Sequence, residues 1–351
     1  MRFVFTFLFG LVLFGGFAQS KAEIDFSELS NTLHQNFAED FDYSVLVDIN
    51  GNVVYAEDFG YTDKKRSIPI DPSTRFNIAS ITKSITAVGI MKLLEQNKIR
   101  LSDTLGVFFA SVPKSKASIS IQALLSHRSG LPQTYPLDGI SESSKAAEII
   151  WDEELEFSPG SSFRYSNQNY QLLALIIEKV AKTSFEDFIR ENILVPLEMH
   201  TTRFWDEMDE AQNMAPLPKR ISRNLGARNW GWLGSGGIFS TPGDLYKFWK
   251  GINNDKFLSK ESRALVFGNY YQTTSGLQIG FGFFTSPNTQ WNTSLLWTRG
   301  TESWGHNAVI QHFPDKNVTI IVTTNSGEID NDQSKTGNRL ISDLIANYLF
   351  D

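Results

Sequence analysis

Ser80-Ile81-Thr82-Lys83 places a hydroxyl and an amine one helical turn apart, at the start of an apolar segment. Apolar residues then recur at helical spacing, so the pattern predicts a helix that begins near Ser80; they are Ile81, Ile85, Val88, Met91 and Leu94. A serine hydroxyl needs an adjacent base to become a good nucleophile, and a lysine can serve when its pKa is lowered. We therefore predict Ser80 as a nucleophile and Lys83 as its base. The ordinary alternative is a helix-capping serine followed by a solvated lysine.

Spacing alone is weak evidence, because Ser111-Val112-Pro113-Lys114 has the same pattern. Pro113 would interrupt the helical turn that brings the two side chains together, so we exclude this second copy. The copy at Ser80 is preferred because a long helical pattern follows it.

Tyr165-Ser166-Asn167 supplies a phenol and an amide after a turn that contains Pro159-Gly160. A phenol near Ser80 could accept and return its proton, provided that a cation held the phenol partly ionised. The Asn167 amide could bond to Lys83 and to a substrate carbonyl at once. The ordinary alternative is a helix-capping asparagine beside a core tyrosine.

Two further segments carry candidate residues. Acyl transfer needs N–H groups aimed at the developing oxyanion, and Arg299-Gly300-Thr301 offers a positive charge and a glycine that lets the backbone approach a ligand. The alternative there is an ordinary hairpin with an exposed arginine. His127 lies where a helix pattern passes into a Gly/Pro turn, and we interpret it as structural because a Ser–Lys pair needs no histidine base.

The N-terminus is typical of a secretory signal peptide, which we place at residues 1–20. Met1-Arg2 is followed by an apolar run to Phe17, and small residues flank a cleavage site near Ala18. The run is short for a membrane span, which needs about 20 residues, although an uncleaved anchor helix is the alternative. The chain has no cysteine, so disulfides are excluded and a secreted or periplasmic bacterial location is predicted.

The charge pattern narrows the function classes. The net charge is −7 and no basic cluster occurs, so nucleic-acid binding is not expected. The five histidines lack metal-ligand spacing, so neither a metal nor another cofactor is expected. The expected partner is a small-molecule or peptide substrate.

Strand patterns lie at both ends of the chain, and helical patterns fill its middle. Strands are predicted at 43–48, 53–55 and 318–324, and helices at 143–151, 170–182, 185–192 and 339–350. This order predicts one α+β domain over residues 21–351. Its antiparallel sheet comes from the N- and C-terminal segments, is flanked by helices, and receives a mostly helical subdomain inserted at roughly 90–230. Ser80 and Tyr165 are expected in the cleft between the two parts.

With these motifs, the chain resembles the serine β-lactamase and penicillin-binding-protein superfamily. It is most similar to the branch that contains class C β-lactamases, D-alanyl-D-alanine carboxypeptidases and related esterases. Ser80-x-x-Lys83 and Tyr165-x-Asn167 match the first two motifs of that branch. Three framework segments are also alike, at 124–131, 192–199 and 236–245.

The third family motif, Lys-Thr-Gly or His-x-Gly, is altered in this chain. Counting back from the Phe313-Pro314 turn puts Arg299-Gly300-Thr301 at the motif, whereas aligning on the glycine puts Thr298-Arg299-Gly300 there. A third register at 305–308 leaves too few residues before Phe313. The first register keeps a cation but moves the glycine by one position.

The resemblance implies an exported serine hydrolase that cleaves amide or ester bonds through an acyl-Ser80 intermediate. Lys83 would be the base, Tyr165 would relay protons, and Asn167 would orient Lys83 and the substrate amide. The oxyanion hole would combine the N–H groups of Ser80 and of the residue after Gly300, and Arg299 would attract an anionic substrate or sustain a tyrosinate.

Two other function classes compete with this hydrolase. The altered third motif favours a non-catalytic module that binds peptidoglycan-type ligands in the same cleft. The chain is rich in aromatic residues, with 27 phenylalanines and 8 tryptophans. A protein-interaction or structural role is therefore the other alternative, for example through an exposed cluster at Trp230 and Trp232.

Overall fold

The computed structural model describes residues 24–37, 41–63, 65–209, 213–217, 225–287, 289–329 and 332–350. The predicted signal peptide at residues 1–20 lies outside these ranges. No helix in the described ranges is both long enough and apolar enough to cross a membrane.

The strands form one large sheet and two small ones. Their bounds are β1 Tyr43–Ile49, β2 Asn52–Phe59, β3 Phe76–Asn77, β4 Arg203–Phe204, β5 Ile238–Ser240, β6 Tyr271–Gln272, β7 Gln278–Ile279, β8 Phe284–Ser286, β9 Leu295–Thr301, β10 Asn307–Phe313, β11 Val318–Thr324, β12 Glu328–Ile329 and β13 Asp332–Thr336. The large sheet has the order β2-β1-β11-β10-β9-β8-β7-β6, and the small sheets are β3-β5-β4 and β12-β13.

The large sheet joins the two ends of the chain. β1 pairs antiparallel with β11 along its whole length, so that Tyr43 lies opposite Thr324 and Ile49 opposite Val318. Every residue of β11 is buried, which explains its continuous β-branched sequence, because a central strand covered on both faces has no polar side. The predicted α+β fold with an antiparallel sheet is confirmed.

The helices surround this sheet and fill the middle of the chain. Their bounds are α1 Phe26–Phe37, α2 Ile81–Glu95, α3 Leu105–Phe108, α4 Ile121–Leu125, α5 Ser143–Asp152, α6 Asn167–Ala181, α7 Phe185–Ile189, α8 Pro242–Ile252, α9 Lys260–Val266 and α10 Gly337–Phe350. A π-helical turn, Arg190–Leu194, follows α7. The segment predicted as one helix at 185–192 therefore consists of an α-helix followed by a π-helical turn. The helix predicted to begin at residue 170 begins three residues earlier, at Asn167.

Two hydrophobic cores lie on opposite faces of the large sheet. The larger core combines α2, α4, α6 and α7 with the sheet, and the smaller one packs α1 and α10 against it. Trp230 is fully buried in the larger core, and Trp232 stacks on Trp205 at a ring-centroid distance of 4.8 Å. The tryptophan pair is thus part of the packing and not an exposed cluster. Helix α2 is buried on nearly every side, which is how it holds Lys83 in the interior.

Candidate active site

The junction between β3 and α2 presents Ser80. Ala79, directly before it, adopts a left-handed backbone with φ 46°, which is uncommon for a residue with a side chain. The Asn77 Oδ1 atom accepts the Ala79 N–H at 2.7 Å, and the Asn77 N–H donates to Nδ1 of His306 at 2.8 Å. These bonds fix a sharp turn that places Ser80 at the start of the helix.

Lys83 lies one turn further on and points to Ser80, as its spacing predicts. Its side chain is buried, with the residue only 2% exposed, and Nζ donates to Ser80 Oγ at 3.1 Å and to the Ser235 carbonyl at 2.7 Å. Burial lowers the pKa of Lys83 to about 7, although the charge of Glu302 acts to raise it. A substantial fraction of the amine is therefore neutral near pH 7, as a proton acceptor must be.

Tyr165 completes the group around Ser80. Its hydroxyl donates to Ser80 Oγ at 2.8 Å, and Lys83 Nζ lies 5.0 Å from the centre of its ring. Burial raises the pKa of Tyr165 above its usual value, Glu302 adds to this, and the Ser80 hydrogen bond and Arg299 oppose it. The site therefore holds a neutral phenol, a proton donor, and not the partly ionised phenol that a nearby cation would have maintained.

His127 supports Tyr165 and does not touch Ser80. Its backbone is left-handed, with φ 55°, and its ring stacks on the Tyr165 ring at a centroid distance of 4.4 Å. Nδ1 accepts the Ser166 N–H at 3.2 Å and lies 3.1 Å from the Asn169 amide nitrogen. Burial, together with the charge of Lys83, keeps the pKa of His127 well below its ordinary value. This geometry fits the structural role predicted for it.

Asn167 is the first residue of α6, two positions after Tyr165. Its backbone N–H donates to Oε1 of Gln133 at 3.1 Å. Within the part of the chain that the structure describes, the hydrogen bonds of Lys83 go to Ser80 and to Ser235. The Ser235 carbonyl thus takes the position at Lys83 that the sequence suggested for the Asn167 amide.

Gly300 of β9 contacts the backbone next to Ser80. A Cβ atom at this position would lie 1.9 Å from the Ile78 carbonyl oxygen and 2.8 Å from the Ser80 nitrogen, so only glycine fits. Thr298, on the same strand face, has its hydroxyl 2.7 Å from that of Ser84 in α2. The contact supports the register Thr298-Arg299-Gly300 for the third motif.

Arg299 occupies the opposite face of β9. Its guanidinium lies over the Trp297 ring at 5.5 Å. Burial and the neighbouring charge of Arg339 lower the pKa of Arg299, and Asp343 opposes them. Both of these neighbours belong to α10, so the arginine faces that helix, although its charge still acts on Tyr165.

The strand edge near Ser80 is available to a ligand. Strand β8 pairs with β9 only from Leu295 to Trp297, so the remainder of β9, up to Thr301, has a described strand neighbour on one side only. Among the described residues, the Ser80 N–H has no backbone acceptor and the buried Thr301 hydroxyl has no hydrogen-bond partner. N–H groups at such an edge can stabilise an oxyanion.

Sequence reasoning missed two contributors to this site. Ser235 acts through its backbone carbonyl, which leaves no signature in a side-chain pattern. Glu302 directly follows Thr301, and its charge acts on both Lys83 and Tyr165. In the sequence, the position of Glu302 beside the third motif was the one signal that could have identified this residue. Within the described residues, no group of three or more acidic or histidine side chains is arranged to hold a metal.

Comparison with known proteins places this geometry in a family. The family model described as Beta-lactamase matches residues 37–343. A penicillin-binding protein of Bacillus subtilis (strain 168) is 27% identical over 326 residues, which are 85% of this chain and 71% of that protein. Protein flp of Staphylococcus aureus (strain MW2) is 33% identical over 170 residues, 46% of this chain, and the match spans only 34% of its own length.

Solved structures give the same result. The octameric penicillin-binding protein homologue from Pyrococcus abyssi superposes with a TM-score of 0.78 at 27% identity, covering 93% of this chain and 77% of that one. D-amino acid amidase from Ochrobactrum anthropi SV3 shares the fold, with a TM-score of 0.76 at 21% identity over 92% of this chain and 99% of that one. Because the family model covers most of the sequence, the chain belongs to the Beta-lactamase family of serine hydrolases and penicillin-binding proteins.

Proposed function

We propose that this protein is an exported serine hydrolase that cleaves amide or ester bonds through an acyl-Ser80 intermediate. The observation that carries the proposal is the pair of hydrogen bonds on Ser80 Oγ, one from Lys83 at 3.1 Å and one from Tyr165 at 2.8 Å. A lone helix-capping serine has no need of a buried amine and a buried phenol on the same oxygen. Two such groups are what acylation and leaving-group protonation require.

Acylation begins when neutral Lys83 takes the Ser80 proton as Oγ attacks the carbonyl carbon. The tetrahedral oxyanion is stabilised by the N–H groups of Ser80 and of Thr301, which follows Gly300 on the β9 edge. The C–N or C–O bond then breaks as Tyr165 gives its proton to the leaving group and regains one from the Lys83 ammonium.

Deacylation reverses the proton path with water as the nucleophile. Tyr165 accepts the water proton as it passes its own proton to Lys83, while the water oxygen attacks the acyl carbon. Ser80 Oγ then leaves with that proton from Lys83, so that both groups are neutral again. The directions of the two pKa shifts support this cycle, because burial favours the neutral amine and the neutral phenol alike. Each group can then move a proton without leaving an unpaired charge in the interior.

The remaining roles belong to the same proposal. Asn167, at the N-terminus of α6, contacts the substrate amide, and Arg299 contributes a background positive charge from the far face of β9. Residues 1–20 act as a signal peptide for residues 21–351, which gives a periplasmic or secreted enzyme. The N-terminal residue of the exported protein, read by mass spectrometry, tests that part.

A binding module for peptidoglycan-type ligands is the second candidate. The observation that favours it is Thr298, a buried neutral residue at the first position of the glycine-aligned third motif, where the family carries a cation. A module of this kind would use the same cleft without turnover. The two candidates therefore differ only in the reactivity of Ser80.

Intact-protein mass spectrometry after treatment with a fluorophosphonate separates them. We expect one adduct on the wild type, because the probe phosphonylates an activated serine with loss of fluoride. Ser80→Ala should lose the adduct, and the matched control Ser111→Ala, in the exposed turn of the second Ser-x-x-Lys, should keep it. An adduct that persists on Ser80→Ala would refute the nucleophile, and a folded wild type without an adduct would support the binding module.

A further inference from the structure

The direction of the Thr301 N–H follows from the pairing of β9. Successive N–H groups along a strand point to opposite sides of it. The Glu302 N–H bonds to the His306 carbonyl at 3.1 Å, on the β10 side, so the Thr301 N–H points to the opposite edge of β9. That edge lies beside the nucleophile of the proposed function, because a Cβ on Gly300 would be 2.8 Å from the Ser80 nitrogen.

The Gly300 carbonyl belongs to the same peptide unit as this N–H. In a planar trans peptide the C=O and the following N–H point in opposite directions, so a contact that fixes one also aims the other. The carbonyl therefore points to the β10 side, where Gly300 lies opposite Ala308. What binds the Gly300 carbonyl sets the direction of the Thr301 N–H.

A buried amide from α10 binds this carbonyl. Nδ2 of Asn338 donates to the Gly300 carbonyl oxygen at 3.3 Å and to the Ala308 carbonyl oxygen at 2.7 Å, so one side chain bridges β9 and β10. Carbonyl oxygens can only accept, which identifies the end of the amide that faces them. Asn338 is 0% exposed, so these bonds act in a low dielectric, where they are stronger than in water.

The Asn338 side chain is held from behind. Its Oδ1 accepts the Thr336 hydroxyl at 2.6 Å and the Arg339 N–H at 2.8 Å. The Gly337 N–H donates to Ser326 Oγ at 2.8 Å, which anchors the first residue of the helix. The two donors and both acceptor positions of the amide are thereby used, so its orientation is fixed.

We propose that Asn338 is a positioning residue for acyl transfer, which aims the Thr301 N–H at the oxyanion by holding the Gly300 carbonyl. This inference rests on the proposed hydrolase function and adds a residue to it. A hydrogen bond to the carbonyl also polarises the peptide, which strengthens its N–H as a donor. Loss of a whole oxyanion-hole donor costs about 10²–10³ in kcat, so loosening one should cost about tenfold.

The test reads the oxyanion hole separately from the attacking serine. It compares p-nitrophenyl acetate with its thiono analogue, which has the same leaving group but carries C=S in place of C=O. Sulfur is a poor acceptor for N–H groups placed to meet oxygen, so the wild type should favour the ester about 100-fold or more in kcat/KM. In Asn338→Leu, which keeps the branched shape of the side chain but has no donor, that ratio should fall about tenfold.

Two further variants separate positioning from general stability. Ile345→Val is the matched control, because it loosens the packing of the same helix and removes no hydrogen bond. Its ratio should stay within twofold of the wild type, even where its melting temperature falls. Thr336→Val keeps both Asn338 donors and removes only the hydroxyl that orients the amide. It should lower the ratio in the same direction by a smaller factor, and it decides the question if Asn338→Leu does not fold.

The outcomes distinguish this inference from the proposed function. An unchanged ratio in the folded variants, an equal fall in Ile345→Val, or a wild type without preference for the ester overturns the positioning role. Each of these results leaves the proposed hydrolase intact if Ser80 still forms the fluorophosphonate adduct. A folded wild type that forms no adduct overturns the proposed function itself.

Discussion

Gly300 shows how a single missing side chain shapes the site. Its α-carbon lies so close to the Ile78 carbonyl and the Ser80 nitrogen that strand β9 and the start of α2 touch through their backbones. This contact brings the β9 edge to Ser80, which the proposed oxyanion hole requires. Turn counting from the sequence could not choose between the two registers, because the choice depends on a contact between segments far apart in the chain.

Gly300→Ala should therefore damage both stability and reactivity. The new methyl group would overlap the Ile78 carbonyl, so backbone must move, at a cost of about 1–3 kcal/mol in unfolding free energy. We expect a lower melting temperature and a loss of most of the fluorophosphonate labelling. Gly305→Ala, in the following turn, is the matched control because its nearest neighbour is 3.7 Å away, an ordinary contact. Normal labelling of Gly300→Ala would show that β9 does not complete the site.

The meeting of Ser80 and Lys83 could be predicted because their spacing leaves a local mark in the sequence. A hydroxyl and an amine three residues apart need only a helix to meet, and the structure joins them at 3.1 Å. The Ser235 carbonyl left no such mark. The protonation of Tyr165 also escaped prediction, because it depends on burial, which acts through the assembled fold.

At the scale of elements, one histidine ties the β9–β10 hairpin to β3. Nδ1 of His306 accepts the Asn77 N–H at 2.8 Å, so Nε2 carries the proton and donates to the Pro216 carbonyl at 3.1 Å. Asn77 in turn holds Ala79 in the turn before Ser80. His306 lies in the register at 305–308, which leaves too few residues before Phe313 for the third motif. The structure gives it a different position, as the connector between the two elements that carry the site.

This connection should make the fold sensitive to mild acid. Burial lowers the pKa of His306 to about 4, although the carbonyls of Pro216 and Ala215 oppose the shift. Below the ordinary histidine value of about 6.5 the unfolded chain binds more protons, so stability falls as pH falls towards 4. The difference in unfolding free energy between the wild type and His306→Asn should therefore shrink by about 2 kcal/mol from pH 7 to pH 5. Urea titrations at both values measure it, and parallel pH dependence in the two proteins would refute the role.

The whole molecule places its chemistry between a sheet built from both chain ends and a largely helical middle. Patterns within single segments predicted that division, because strands such as 318–324 and helices such as 143–151 have clear periodicities. The short strands β4 to β8 escaped prediction, since two or three residues carry no period and form only when a partner strand is present. They nevertheless matter, because β3 and β5 hold the turn before Ser80.

Placing a lysine inside this assembly costs the molecule stability, and the cost depends on pH. Burial holds the pKa of Lys83 at about 7, whereas an unfolded lysine titrates near 10.4. Between these values the unfolded chain binds the extra proton, so stability rises with pH by about 1.4 kcal/mol per unit. Lys83→Met keeps the length of the side chain, removes the titration and abolishes the proposed catalysis.

The unfolding free energy of the wild type relative to Lys83→Met should thus increase by about 2 kcal/mol from pH 7 to pH 9, because the folded amine is still half protonated at pH 7. At pH 7 the variant should be the more stable protein, because the desolvation cost of the amine exceeds the about 1–3 kcal/mol lost when the Ser235 carbonyl is left unpaired. Lys114→Met, in the exposed turn of the second Ser-x-x-Lys, should show no such dependence. Urea unfolding of the three proteins decides the matter. If the difference in unfolding free energy between the wild type and Lys83→Met does not change with pH, the fold does not hold the amine neutral. The proposed role of Lys83 as the base for Ser80 then loses its physical support.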